Sequence, residues 1–236
     1  MKHIRLFSTK AECKATELVK PNLCLVKESN NIYTNLENDY VDLGLESGTL
    51  WMRCNIGAEN ETDFGLYFQF GDIVGHTGDE ALSHSSWSTC PGNGGNSSVN
   101  TSLLSAWNNT NTTNNTLNTL ADAAYIHTNG DAKMPTQDQM TELINGTTHV
   151  WTTINGINGA KFTNKADSSK YIFFPASGFI ADGILKGVGE AGDVWSGSVS
   201  SSDFSKAYRF AYTMKNWYNC APDTRSYGFC VRGVLA

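Results

Sequence analysis

The side chains that could bind a metal are few, and their spacing fits no known site. His76, Asp79, His84 and Cys90 carry atoms that zinc accepts, but the intervals between them match no standard zinc motif. A calcium site needs clustered carboxylates and carbonyl oxygens, and the short Ala-Pro-Asp run at 221–223 has no second acidic cluster to accompany it. The sequence therefore predicts no metal and no cofactor.

Catalytic motifs are equally weak. Gly187, Gly189 and Gly192 match the G-x-G-x-x-G pattern, but a strand-like segment follows them where a phosphate-binding helix should begin. No Ser-His-Asp arrangement is legible. Cys220 and Cys230 lie outside any recognisable catalytic motif and have the setting of buried thiols, which behave as small apolar side chains. We therefore predict that the protein is not an enzyme.

A binding surface is the better interpretation, in the segment Ser198–Ser226. Tyr and Trp supply large contact areas at low entropy cost, and Ser and Asn supply adaptable hydrogen bonds, as in antibody paratopes. The alternative is that Tyr208 and Tyr212 pack in the core beside an ordinary loop. That alternative suits Trp217 and Tyr218 less well, because they fall in a polar, turn-rich stretch. The predicted ligand-binding residues are Ser200, Ser202, Asn216, Trp217, Tyr218, Asn219, Asp223, Arg225 and Ser226.

Composition excludes several classes of partner. The chain has 236 residues and a net charge of −6, which is unlike a nucleic-acid-binding protein. The opening MKHIRLF carries charges but no apolar stretch behind it, so we expect no signal peptide, and no run is long enough to span a membrane. Six cysteines without a C-x-x-C pair are expected to be free thiols. We therefore expect synthesis in a cytoplasm.

Residues 1–36 have the pattern of a separate helix-hairpin module. Thr9 and Glu12 fit a capping box, Pro21 ends the helix, and two short apolar runs follow around a polar turn. Such a module buries too little surface to be stable alone, so it must rest on the main domain or on another chain. Residues 1–27 carry six Lys or Arg against two Glu, which indicates either solvated surface or a docking segment for an acidic partner.

The rest of the chain, residues 40–236, is predicted to be α+β, with small antiparallel sheets, two short helices and long loops. The clearest helix is MPTQDQMTELINGT, with Thr136 as its N-cap, Gly146 as its stop, and a buried stripe of Met140, Leu143 and Ile144. HVWTTINGINGAKFTN contains two Asn-Gly steps and predicts a hairpin. Residues 83–129 form a long polar excursion, with nine Asn between 93 and 118.

The C-terminal sequence RSYGFCVRGVLA alternates apolar and polar residues. Phe229, Val231 and Leu235 would share one face of a strand, with Cys230 and Arg232 on the other. This period predicts a half-buried strand. A chain end of this kind is unusual, since most ends are polar and frayed.

Seven blocks in this region occur in the order seen in the Fibrobacter succinogenes major paralogous domain, which residues 40–236 resemble. The blocks are VDLGLESGTLWMRCNIGA, DFGLYFQFGD, MPTQDQMTELI, WTTINGINGAKFT, IFFPASGF, GDVWSGSV and YGFCVRGV. The resemblance implies a C-type-lectin-like fold, related to formylglycine-generating enzymes and to the variable proteins of diversity-generating retroelements. It also implies that YGFCVRGVLA pairs beside YVDLGL, and that the segment Ser198–Ser226 corresponds to the variable region of the retroelement proteins.

Residues 1–36 resemble a leader on virion proteins of Bacteroidales phages, including crAss-like phages. The resemblance implies a segment that docks the protein onto other virion proteins. We therefore expect a bacteriophage virion protein, as a head or tail fibre or a capsid decoration, that binds a host surface glycan or protein. A homo-oligomer is expected, with a trimer as its candidate form. The alternatives are a purely structural capsid cement protein and a bacterial surface binding protein.

Overall fold

The computed structural model describes residues 39–91, 116–117, 119–203, 205–215 and 218–235. The predicted anchoring module of residues 1–36 and most of the Asn-rich excursion lie outside these residues. The described part consists mostly of small antiparallel sheets with few helices, as predicted for an α+β domain. Its helices are α1 (Gly78–Ala81), which a 3₁₀ turn (Leu82–His84) follows directly, α2 (Ala123–His127) and α3 (Gln137–Gly146).

The described strands form four sheets. Their bounds are β1 (Tyr40–Asp42), β2 (Leu50–Met52), β3 (Tyr67–Phe68), β4 (Ala132–Lys133), β5 (Thr148–Ile154), β6 (Ile157–Thr163), β7 (Tyr171–Pro175), β8 (Phe179–Ala181), β9 (Ile184–Lys186), β10 (Ala191–Val199), β11 (Lys206–Thr213), β12 (Tyr218–Thr224), β13 (Phe229–Val231) and β14 (Val234–Leu235). The largest sheet has the order β12-β11-β10-β13-β3, and the others are β1-β2-β14-β4, β5-β6-β7 and β8-β9. Neighbouring strands are antiparallel except β10 and β13, which are parallel.

The C-terminal residues enter two sheets. β13 lies between β10 and β3, where Phe229 pairs with Phe68, and β14 lies between β2 and β4, where Val234 pairs with Trp51. The expectation that the last strand pairs beside YVDLGL was therefore wrong in detail. β1 and β14 belong to the same sheet, but each pairs with a different edge of β2, because β2 has only two edges to offer.

The prediction that the terminal strand is half-buried was also wrong. Phe229, Cys230, Val231 and Arg232 are all at most 1% exposed. This strand has a neighbouring strand on each side and packed side chains on both faces. Neither face is in contact with solvent, so its alternating polar residues are buried as well. Burial has its largest consequence at Arg232, because a charged guanidinium is buried with the side chain.

Helix α3 has the start that the sequence predicts. The Thr136 hydroxyl accepts a hydrogen bond from the Gln139 backbone N–H at 3.2 Å, and the Gln139 side chain closes the capping box. Met140 and Leu143 are buried and Ile144 is half-buried. The sequence predicted that Gly146 ends the helix in a left-handed conformation, and the structure does not show this. Gly146 is the last helical residue, and a Cβ there would approach Leu45 Cδ2 to 2.6 Å.

The hairpin of β5 and β6 is confirmed at the first of its two Asn-Gly steps. Asn155 and Gly156 have φ values of 50° and 83°, which suit a two-residue turn of type I′. The second step, at residues 158–159, lies inside β6. Glycine is needed there for another reason, because a Cβ on Gly159 would overlap the Phe174 carbonyl oxygen.

The main core lies where the three-stranded sheet meets the five-stranded sheet. The rings of Phe162, Phe174 and Phe210 form a triangle with all three centroid distances at 5.6 Å and edge-to-face geometry. Tyr212 is fully buried beside them. This packing fixes β11 against β6, and so it fixes the strand that carries the candidate binding surface.

Candidate binding surface

The pairing of β11 with β12 divides the predicted ligand-binding residues between two faces. Tyr212 pairs with Tyr218, and Ala211 pairs with Asn219. Because successive residues of a strand point to opposite sides, Tyr218 lies on the face of Tyr212, while Asn219 and Asp223 lie on the opposite face. The single surface that the composition suggested is therefore two surfaces that share one edge strand.

On the first face, Tyr218 is half-buried and held by two rings. Its ring is edge-on to His149 of β5, with the centroids 4.4 Å apart, and edge-on to the buried Phe162 at 5.6 Å. Burial lowers the pKa of His149, opposed by a backbone hydrogen bond at Ile144, so the imidazole is largely neutral at pH 7. The result is a partly exposed phenol ring whose orientation is fixed before any ligand arrives.

On the second face, Arg209 lies between two carboxylates. Its Nε is 2.9 Å from Asp193 Oδ1 and 3.1 Å from Asp223 Oδ2. Asp193 is only 6% exposed, and burial raises its pKa to about 7 even though Arg209 opposes the shift. The Nη1 atom of Arg209 is buried without a hydrogen-bond partner among the described residues. This face is polar, and the contacts of Arg209 Nε with both carboxylates limit its freedom to reorganise around a ligand.

The raised pKa of Asp193 predicts a pH-dependent stability. The folded protein holds the proton up to about pH 7, whereas the unfolded chain releases it near pH 3.8. The contribution of Asp193 to the free energy of unfolding should therefore fall as the pH rises through that interval, by at most about 1.4 kcal/mol per pH unit. Urea unfolding of wild type and Asp193→Asn across the interval measures the effect, because the variant should lose that part of the slope.

Other groups titrate in the same range, so the difference between the two proteins is the informative quantity. Burial also raises the pKa of Asp122, which acts in the same direction as Asp193. Burial lowers the pKa values of His127 and His149, which acts in the opposite direction. A difference curve that stays flat from pH 4 to 7 would show that Asp193 carries no such linkage.

Three of the predicted binding residues lie in the interior, which corrects their assignment to a surface. Ser200, Arg225 and Ser226 are each at most 3% exposed. Arg225 Nη2 donates to the Pro91 carbonyl oxygen at 2.8 Å, and the Ser226 carbonyl oxygen accepts from Gln69 Nε2 at 2.8 Å. Arg225 and Ser226 follow directly after β12 ends at Thr224, and Ser200 follows directly after β10 ends at Val199. None of them can face a ligand.

The other predicted binding residues differ in their exposure to solvent. Ser202 is exposed, and Asn219 and Asp223 are partly exposed. Asn216 and Trp217 lie outside the described residues. The structure adds His149 and Arg209, which sequence reasoning missed as site residues. The ion pair of Arg209 with Asp223 depends on the register of β11 and β12. His149 comes from another sheet, and no local signal joins it to Tyr218.

The weaker chemical candidates find little support in the geometry. His76 and His84 stack face to face with centroids 3.7 Å apart, and across the described ranges no three His, Cys, Asp or Glu side chains converge as metal ligands would. Gly187 and Gly189 have positive φ values in a turn, and β10 follows them as the sequence predicted. Burial raises the pKa of Cys220 to about 11 and that of Cys230 to about 12, so neither is a thiolate at neutral pH.

Comparison of the chain with protein-family models, with curated proteins and with solved structures gives no match. Within the part of the chain that the structure describes, no helix combines the length and the apolar character that a membrane span requires.

Proposed function

We propose that the chain is a non-enzymatic bacteriophage virion protein whose C-type-lectin-like domain binds a glycan or a protein on the host surface. Two features support the fold assignment. The seven blocks that resemble the Fibrobacter succinogenes major paralogous domain fall in order along residues 40–236. The first and last strands, β1 and β14, belong to the same sheet.

The observation that carries the binding proposal is the setting of Tyr218. Its ring is partly exposed at the start of an edge strand, and Phe162 and His149 hold it edge-on. A preoriented aromatic ring stacks on the apolar face of a sugar, or fills a pocket on a protein, at low entropy cost. Such rings contribute a large share of the affinity in many interfaces.

The remainder of the proposal concerns assembly. Residues 1–36 attach the protein to other virion proteins, and the protein forms a homo-oligomer, with a trimer as the candidate form. A single tyrosine-centred site has modest affinity, and repeated copies on a particle raise the avidity. No nucleic acid or membrane partner is part of the proposal.

Binding of the purified full-length protein to intact Bacteroidales cells, and to glycans released from their surface, tests the proposal. Tyr218→Ala should weaken binding by about tenfold or more, because it removes the fixed ring. The matched control is Tyr227→Ala. Tyr227 is also half-buried, but it lies beyond the other end of β12, and its loss should leave binding unchanged. Thermal unfolding confirms that both variants are folded.

Two outcomes would contradict the proposal. Equal binding by wild type and Tyr218→Ala would place the contact elsewhere on the molecule. Binding to assembled capsids together with no binding to any cell or glycan would favour the capsid cement function instead.

A further inference from the structure

The chain contains five Asn-Gly steps, at positions 93, 129, 145, 155 and 158. Such a step is chemically labile, because the backbone nitrogen of the glycine can attack the side-chain amide carbon of the asparagine, and glycine has no Cβ to obstruct the approach. The attack requires a free asparagine side chain and a glycine N–H that is not engaged in a hydrogen bond. The step at 93 lies outside the described residues, so four sites can be compared.

Both polar atoms of the Asn158 side-chain amide form hydrogen bonds. Its Oδ1 accepts from Thr153 Oγ1 at 2.7 Å, and its Nδ2 donates to the Gly189 carbonyl oxygen at 3.1 Å. The following Gly159 is buried inside β6 and faces Thr152 in the neighbouring strand. Neither reacting group is free to move.

The steps at 129 and 145 are protected through their backbone. The Gly130 N–H donates to the Tyr125 carbonyl oxygen at 2.8 Å, so the attacking nitrogen is already engaged. Asn145 lies in the last turn of α3, and the helical conformation holds the next nitrogen away from its side chain.

Asn155 differs from the other three. It is exposed at the tip of the β5–β6 hairpin, and no atom lies within 4 Å of a Cβ built on Gly156. Neither the Asn155 side chain nor the Gly156 N–H has a hydrogen-bond partner among the described residues. The pairing of Ile154 with Ile157 closes the turn, so opening this one pair gives the backbone the rotation that the attack needs.

We infer that Asn155 is a site of spontaneous deamidation in the folded protein. The Gly156 nitrogen loses its proton and forms a bond to the Asn155 side-chain carbon, and the side-chain nitrogen leaves as ammonia after gaining a proton from water. The resulting cyclic imide is opened by one water molecule, at either of its two carbonyl carbons. The products are an aspartate with the normal backbone, or an isoaspartate in which the main chain passes through the side-chain carbon. No oxidant or reductant takes part.

Both products change the hairpin. Each product places a carboxylate at a turn that is otherwise uncharged. The isoaspartate also adds one carbon to the main chain of this turn, which is now formed by two residues in the left-handed conformation. The closing pair of Ile154 and Ile157 cannot keep its register across the longer connection. The modified tip should therefore fray and become sensitive to proteases.

A second turn in the same molecule provides a matched comparison. Asp182 and Gly183 connect β8 to β9 with φ values of 54° and 77°, close to those at Asn155 and Gly156. Here, however, the Gly183 N–H donates to Ser85 Oγ at 2.7 Å. The variant Asp182→Asn would place an Asn-Gly step in the same turn geometry with its attacking nitrogen engaged.

The test is incubation of the folded full-length protein at mildly alkaline pH, followed by digestion and mass spectrometry of each Asn-Gly peptide, with separation of isoaspartyl forms. Asn155 should deamidate at least about tenfold faster than Asn129, Asn145 or Asn158, and faster than position 182 in Asp182→Asn. In urea, where the fold is absent, the rates should converge. Similar rates at all sites in the folded protein, or no product at Asn155, would overturn the inference. No ligand is measured, so the result is independent of the proposed function.

Discussion

Removal of residues 234–236 is expected to unfold the domain, or to lower its free energy of unfolding by about 4 kcal/mol or more. Val234 is 3% exposed and pairs with Trp51 on one side and with Lys133 on the other. The deletion removes the buried side chain and also the strand that joins β2 to β4. Backbone groups of both neighbours would then lose their partners.

Thermal and urea unfolding followed by circular dichroism measure this effect. Leu235→Ala is the matched control, because Leu235 belongs to the same strand but is 37% exposed. The control should cost about 1 kcal/mol or less. A truncated protein that melts like wild type would contradict the role assigned to β14.

Trp195→Ala is expected to lower the free energy of unfolding by about 4 kcal/mol. The side chain is fully buried in β10. Its ring lies 4.2 Å from the ring of Phe229 and 5.4 Å from that of Phe70, and its Nε1 donates to the Phe68 carbonyl oxygen at 2.8 Å. The substitution leaves a large cavity beside the rings of Phe229 and Phe70 and removes the donor to that carbonyl.

Trp195→Phe separates these two effects. Phenylalanine keeps most of the apolar volume but cannot donate to Phe68, so this variant should lose about 2 kcal/mol. Urea unfolding at equilibrium gives both values. Equal losses in the two variants would assign the whole effect to the hydrogen bond, and our expectation for the cavity would then be wrong.

Local features of the fold could be predicted from the sequence because their signals are local. The Thr136 capping box and the apolar spacing of Met140 and Leu143 define α3. Asn155 and Gly156 define the β5–β6 turn.

Long-range features were missed because no local pattern encodes them. Arg232 is an example, since the alternation of its strand placed a charged side chain on the polar face. In the structure its Nε donates to Asn55 Oδ1 and its Nη1 to the Arg53 carbonyl oxygen, both at 2.9 Å, and its guanidinium lies over the Phe174 ring. These acceptors lie far away in sequence, so the burial of Arg232 follows from the tertiary structure alone.

The candidate site was predicted only in part for a similar reason. Composition identified the segment that contains Tyr218, Asn219 and Asp223, but composition does not predict on which face of a strand each side chain lies. The register of β11 and β12 then placed Tyr218 on one face and the other two residues on the opposite face. Burial of Arg225 depends on contacts with Phe70 and Pro91, which the sequence does not bring together.

The position of β13 between β10 and β3 has a consequence for biosynthesis. While residues 40–228 are emerging from the ribosome, β3 and β10 have no strand between them, and each leaves backbone groups unpaired along one edge. The five-stranded sheet can close only after Phe229–Val231 has left the exit tunnel. The sheet therefore closes only after this segment has been translated, and until then the open edges of β3 and β10 are exposed to pairing with other chains.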